Sequence, residues 1–289
     1  VIAAIIKEAR PKQWAKNVLV FAAPGAAGVL THGQPQVRAL ITFVAFCLAS
    51  SGTYYWNDLL DVEADRSHPT KCRRPIASGA VPIGVARVVG TLLIIGGPAL
   101  AFAARWQAGV ACIGYVVLTS SYSAVWKHIA VVDLVAVAGG FVLRAVAGAA
   151  ATNVHMSKWF VLCTTFGSLF IVTGKRYAEL RELGDRPTTA RATLEDYSMD
   201  FLRTVLSISC GATLVAYCIW AFESKELSGT TWPSYELSIV PMLTALLRYL
   251  LIIEQGHGAA PEDIFAADRT LQLLGVVWLV VFASGVYIK

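Results

Sequence analysis

The sequence predicts an all-α fold, a polytopic bundle of nine transmembrane helices, on three observations. Apolar runs long enough to cross a bilayer recur along the chain, charged residues crowd into the segments between them, and Lys and Arg are abundant in alternate connections only. Of the 289 residues, 56% are hydrophobic and 15% charged, and the mean hydropathy is +0.60, outside the range of water-soluble domains.

Runs of about 17 to 25 apolar residues, the length that spans a bilayer core as a helix, fall near 17–34, 36–56, 83–103, 106–126, 131–151, 157–174, 201–222, 235–254 and 270–288. The first is interrupted by Pro24, Gly25 and Gly28, which membrane helices tolerate where neighbours satisfy the backbone. Ahead of it, IIKEARPKQWAKN is basic and lacks a cleavage-like site, so no secretory signal is expected there. With the amino terminus inside, the inner segments carry sixteen Lys and Arg against five in the outer ones, which orients both long charged loops, 57–82 and 175–200, toward the cytoplasm of a cell-membrane protein. That bias accounts for the net charge of +5 without a nucleic-acid partner. The six Cys form no C-x-x-C pair and the five His no H-x-x-x-H or HExxH spacing, which argues against a disulfide framework and a transition-metal hydrolase. No linker or short repeat divides the chain, so a single transmembrane domain over 1–289 is expected.

The entry to the first span is amphipathic: Lys12, Trp14, Lys16 and Asn17 either anchor it at the headgroups or let Lys16 dock a lipid phosphate. The second span runs without a turn signal into YYWNDLLDVEADRSHPTKCRRPIASG, residues 54–79. On a continuing helix Asp58, Asp61 and Asp65 share one face while Glu63 points away. Three converging carboxylates repel one another, and a hard divalent cation relieves that; Mg²⁺ held by carboxylates and substrate phosphates is the usual arrangement. Asn57 stands beside them. Lys71, Arg73 and Arg74, in a loop held by Pro69 and Pro75, supply the opposite sign, since guanidinium and ammonium groups bind phosphate oxygens. Acids, metal and bases together describe a diphosphate site; topology alone explains the bases but not the acidic stripe.

Tyr122 and Lys127 close the fourth span at the cytoplasmic side, where an interfacial Tyr and a snorkelling Lys are one account of them. In the fifth, Arg144 sits where a charge is costly and faces a cavity or a structural partner; Asp133 lies three turns earlier on the same face, roughly 16 Å away. The Gly and Ala of AVAGGFVLRAVAGAA, residues 136–150, permit close helix packing.

Asn57-Asp58-x-x-Asp61-x-x-x-Asp65, followed by His68-Pro69-x-Lys71-x-x-Arg74-Pro75-Ile76-x-x-Gly79, resembles the first aspartate-rich motif and loop of the UbiA-type membrane prenyltransferases. SYSAVWKHIAVVDLV, residues 121–135, is similar to the Tyr-Ser-x-x-x-Lys segment after that family's fourth span. The resemblance covers nearly the whole chain and implies a UbiA-like nine-helix bundle, a central cavity open to the cytoplasm and to lipid, and a Mg²⁺-dependent transfer. The family's second D-x-x-x-D loop is absent; GKRYAELRELGDRPTTARATLEDYS, residues 174–198, offers Glu179, Glu182 and Asp185 among Lys175, Arg176, Arg181, Arg186 and Arg191. This cationic loop, with RPKQWAKN, looks like the branch that transfers phosphoribose to decaprenyl phosphate, a step toward cell-wall arabinan precursors. A phosphoribosyl diphosphate donor and a polyprenyl phosphate acceptor bring more phosphates than a prenyl diphosphate and an aromatic acceptor, so extra bases are expected. The mechanism expected on this basis puts Asp58, Asp61 and Asp65 with Asn57 on the metal; Lys71, Arg73 and Arg74 on the diphosphate, which the resemblance implies Tyr122 and Lys127 also approach; Lys175, Arg176, Tyr177 and Arg181 on the ribose and 5-phosphate; and Glu179 on the metal or the ribose hydroxyls. An ordinary prenyltransferase is the alternative enzyme. A phosphate or cation transporter is the non-enzymatic one, disfavoured because its acids belong near the midplane on broken helices.

Overall fold

The computed structural model describes residues 2–31, 33–183, 192–256 and 261–288 and contains helices and no strand among them. The chain divides into two compact units, Val1–Lys127 with Gly139–His155, and His128–Ala138 with Met156–Lys289.

In the first unit a short helix α1, Ile2–Glu8, precedes a 3-10 run over Pro11–Phe21 and a brief helix Ala22–Ala26. The apolar segment 17–34, expected as a first span interrupted by Pro24, Gly25 and Gly28, is wound as a 3-10 run to Phe21 and a brief helix to Ala26, with Gly28 at φ 71° beyond it. The winding has a physical cause in side-chain spacing. A 3-10 helix stacks residues three apart, and Trp14, Asn17 and Val20 fall on that period. Trp14 Nε1 donates to Ser51 Oγ (3.0 Å), Asn17 Nδ2 lies 3.3 Å from Cys47 Sγ, and Asn17 and Val20 are fully buried.

The partner of that run is α2, Gly33–Leu60, which ends at the acidic segment; a one-residue turn at Asp61 separates it from α3, Val62–Ser67. Two further helices, α4 over Ile83–Ala104 and α5 over Trp106–Ala124, return beside it. Backbone contact is close enough that a Cβ on Gly97 would sit 2.8 Å from Ala45 O. The helix α6, Val132–Thr152, gives its residues from Gly139 onward to this unit. There Gly148 admits the 3-10 run, since a Cβ would meet Val20 O at 1.8 Å. Val20, Phe46, Ala49, Ala101, Cys112, Tyr115 and Ala147 form the buried core.

The second unit holds α7, Lys158–Leu183; α8, Met199–Ser228; α9, Ile239–Gln255; and α10, Arg269–Tyr287. Ser198 caps α8 by accepting from Phe201 N (3.1 Å), and Asp268 caps α10 by accepting from Leu271 N (2.7 Å), each worth about 1 kcal/mol. Its core includes an aromatic stack of Trp220, Phe282 and Trp278.

Among the described residues six helices are long and apolar enough to cross a membrane: Gly33–Leu60, Ile83–Ala104, Val132–Thr152, Met199–Ser228, Ser234–Gln255 and Arg269–Tyr287. The expected spans near 106–126 and 157–174 are helices too, but less apolar ones. The former ends in Thr119, Ser120, Ser121, Tyr122 and Ser123, the latter in Lys175, Arg176, Glu179, Arg181 and Glu182.

Candidate active site

The acidic stripe is built where α2 leaves its apolar run. Asp58 is in the last full turn of α2 and is 1% exposed; Asp65, on α3, is 3% exposed. Buried carboxylates require partners, and the chain supplies three cations from three places. Arg74 Nη1 donates to both Asp58 Oδ1 (3.0 Å) and Asp65 Oδ2 (2.6 Å). Arg10 Nη2 donates to the other oxygen of Asp58. Lys127 Nζ reaches Asp61 at 3.1 Å. Asp58 and Asp65 therefore converge on one nitrogen, as their common face predicts, whereas Asp61, at the turn, points to a different base. Asn57 Nδ2 lies 3.5 Å from Asp58 Oδ1.

Arg10 and Glu8 belong to the site although the sequence pattern did not single them out. Tyr55 Oη donates to Ile5 O (2.7 Å) and Ser51 Oγ to Ala9 O (2.9 Å), tying α1 and its exit to α2. Arg10 takes a left-handed φ of 52° and lies 4.9 Å over the Tyr54 ring. Glu8 is 1% exposed and neither of its oxygens receives a donor. Burial, reinforced by Asp58, pushes its carboxyl up to about 8, which favours its neutral form. Three acids then face three bases. The available signal was the Glu8-x-Arg10 acid and base pair just ahead of the first apolar run.

The other bases expected at this site stand differently. Lys71 and Arg73 are exposed in a 3-10 turn, Lys71–Arg73. Tyr122 is half-buried on the last turn of α5, and Lys16 Nζ donates to Gln13 Oε1 within the 3-10 run. Arg144 is buried among neutral groups: Nε donates to Asn17 Oδ1 (2.7 Å), Nη1 to Gly140 O (2.8 Å) and Nη2 to Tyr115 Oη (3.0 Å). These bonds tie Arg144 to the 3-10 run and to α5.

In the second unit, Arg176 is 3% exposed and held by two acids. Nε donates to Asp133 Oδ2 (3.1 Å) and Nη1 to Glu179 Oε2 (2.8 Å). Tyr197 Oη donates to Asp133 Oδ1 and accepts from Val131 N (2.6 Å), with Val131 itself at a strained φ of 68°. Burial and the bond to Asp133 both raise the Tyr197 phenol. Lys175 Nζ is 3.9 Å from Glu179, Tyr177 Oη accepts from Arg203 Nη2 (3.3 Å), and Arg181 is exposed. Asp185, Arg186 and Arg191 lie outside the described residues.

Among the described residues no three metal-ligating side chains crowd together. The donor chemistry of the first unit still fits a divalent ion, because two carboxylates already share one cationic atom and Mg²⁺ needs only one or two carboxylates besides phosphate oxygens and water.

Residues 18–276 match the UbiA prenyltransferase family. Relatives named decaprenyl-phosphate phosphoribosyltransferase are 41% identical in Corynebacterium glutamicum, over 98% of this chain and 87% of that protein, and 41% identical in Mycobacterium tuberculosis, over 99% and 95%. A UbiA homologue from Archaeoglobus fulgidus, solved with DMAPP and Mg²⁺, superposes with a TM-score of 0.73 at 15% identity, covering 99% of both chains, and so shares the fold. A membrane-embedded transferase is what these findings describe, and the chain belongs to the UbiA prenyltransferase family.

Proposed function

We propose that the protein transfers 5-phosphoribose from phosphoribosyl diphosphate to a polyprenyl phosphate such as decaprenyl phosphate, releasing pyrophosphate. The observation that carries this reading is the full-length 41% identity to proteins named for that reaction. The replacement of the second aspartate loop by a basic segment supports it, because the additional phosphates of donor and acceptor call for cations rather than acids.

Arg10, Arg74 and Lys127 hold the diphosphate of the donor, exchanging carboxylate partners for phosphate oxygens. Each has a side chain between 24% and 28% exposed, enough for a ligand to reach it. Asp58 and Asp65, with Asp61 and Asn57 at their side, would hold Mg²⁺, which when bound neutralises phosphate charge. The bond from C1 of the ribose to the pyrophosphate oxygen breaks with its electron pair on that oxygen, and an oxygen of the lipid phosphate bonds to C1. The three bases stabilise the charge that collects on the leaving group. The attacking phosphate oxygen is already an anion at neutral pH, so no general base is required. Lys175 and Arg181 are the cations we assign to the 5-phosphate, with Glu179 on the ribose; Arg176, held by Asp133 and Glu179, and the buried Tyr177 position that segment. The product class is a precursor for cell-wall arabinan, and the acidic end of the first unit faces the cytoplasm of a bundle with nine membrane crossings.

The test is direct. Purified protein incubated with ribose-labelled phosphoribosyl diphosphate, MgCl₂ and decaprenyl phosphate is expected to move label into the lipid extract, and chelation is expected to stop it. Inertness there, with turnover of a prenyl diphosphate and an aromatic acceptor, establishes the ordinary prenyltransferase instead.

A further inference from the structure

A second polar site lies at the opposite end of the first unit. The last residue of α4, Ala104, packs with Ala108, Ala151 and Ile41, and Ile41 precedes Asp58 on α2 by roughly 25 Å at 1.5 Å per residue. Beside that alanine cluster a pocket of about 300 Å³ is lined by Arg105, Gln107, Ala149, Ala150, Asn153 and His155. Its walls are fixed by the backbone. Asn153 takes a left-handed φ of 59°, and Val154 N closes the turn by donating to Ala149 O (2.9 Å).

The chemistry of the pocket is unusual for a structural corner. Arg105 Nη1 donates to Asn153 Oδ1 (2.6 Å) and Ala150 O (3.3 Å), and no carboxylate pairs with it among the described residues. Gln107 Oε1 is buried and receives no donor. A cation without a carboxylate partner among the described residues and a glutamine whose buried acceptor lacks a donor line one cavity together with His155. From the same corner Trp106, Val110, Ile113 and Val117 run down α5 at helical spacing, 64%, 51%, 44% and 57% exposed, an apolar stripe that starts at an interfacial Trp.

We propose that this pocket binds the headgroup of an anionic phospholipid with a hydroxylated headgroup: the phosphodiester on Arg105, a headgroup hydroxyl donating to Gln107 Oε1, and an acyl chain along the Trp106–Val117 stripe. An anion fits because guanidinium binds phosphate oxygens through charge-assisted bonds. A hydroxyl is needed because a buried unsatisfied acceptor costs free energy that only a donor recovers. A lipid rather than soluble phosphate fits because the apolar stripe begins where the cation ends. The site is separate from the transfer chemistry and does not rest on the activity proposed above.

Native mass spectrometry of the full chain in detergent, supplied with one lipid at a time, tests this. Wild type is expected to retain phosphatidylglycerol over phosphatidylcholine, and over phosphatidylethanol, an anionic phosphodiester without a free hydroxyl. Arg105→Gln is expected to lower the retained phosphatidylglycerol about tenfold, the loss of one charge-assisted contact, while Arg105→Lys keeps most of it. Gln107→Leu, which leaves the Arg105 bonds intact, is expected to erase the preference for phosphatidylglycerol over phosphatidylethanol. Equal retention of phosphatidylcholine, no change in Gln107→Leu, or displacement of the lipid by inorganic phosphate at low millimolar concentration would overturn the assignment.

Discussion

Two clusters of opposite charges, one in each unit, differ in how tightly their cations are held. In the first, Asp58, Asp61 and Asp65 are answered by Arg10, Arg74 and Lys127, whose side chains keep a quarter of their surface in contact with solvent. In the second, Asp133 and Arg176 are 1% and 4% exposed at the side chain, and Tyr197 closes the remaining carboxylate oxygen. A cation that can leave its carboxylate for a phosphate suits a ligand site. One sealed on two sides by acids suits a scaffold, because breaking it strands a charge in low dielectric. On the function proposed above, the same residue types serve binding in one unit and architecture in the other, and partial exposure is what separates the two roles.

The largest expected effect breaks the first cluster. Asp61→Asn removes the charge facing Lys127 while the partly exposed position keeps its shape, so phosphoribosyl transfer is expected to fall on the order of 10²–10³-fold, the scale of losing one electrostatic contact in a site. The melting temperature in detergent should stay near wild type. Breaking the second cluster should invert that pattern. Asp133→Asn leaves Arg176 short of a counter-ion and is expected to cost about 3–5 kcal/mol of stability, read as a lower melting temperature, with residual transfer following the folded fraction. A variant that melted like wild type yet lost transfer would move Asp133 into the ligand site.

Between those extremes stands Glu8, whose carboxyl is raised from 4.5 to about 8 by burial and by Asp58. A carboxyl raised on folding favours the folded state fully below its unfolded value, and that contribution is lost as pH rises through the folded one. The melting temperature is therefore expected to decline between about pH 5 and pH 9, and Glu8→Gln, neutral throughout, to flatten the decline. A slope unchanged in the variant would place the titration elsewhere.

How much of this could be read from the sequence depends on range. The acidic motif was legible because helix period puts Asp58 and Asp65 on one face, and the structure has both on Arg74. Asp61 departs from the expected trio because the helix breaks at that residue, at φ −94° and ψ 8°, a turn no apolar or polar pattern announces. Arg10 and Glu8 were hidden because they precede the first apolar run and reach Asp58 only through the folding back of α1. The Asp133, Arg176 and Tyr197 cluster joins residues 43 and 64 positions apart, beyond any local pattern. The first apolar segment was read as a span from its composition, whereas its winding is decided by the three-residue spacing of Trp14, Asn17 and Val20 against α2 and α6.

The smallest effect sharpens the comparison within the second unit, where two arginines differ chiefly in exposure. Arg203 has 55% of its side chain exposed and is drawn to Asp200 and Glu254 at 3.6 Å and to Tyr177 Oη at 3.3 Å. The two ion pairs are that long and join groups water can solvate, so they contribute at most about 1 kcal/mol, and Arg203→Ala is expected to shift the melting temperature far less than Arg176→Ala. Its effect on transfer separates two origins for the bases of this segment. If Arg203 serves only the inward bias of positive charge, transfer stays within about twofold of wild type, the scale of an exposed pair. A larger loss at unchanged stability, appearing as a raised KM for phosphoribosyl diphosphate with kcat preserved, would mark uniform ground-state binding. Arg203 would then join Lys175 and Arg181 among the residues proposed to hold the donor.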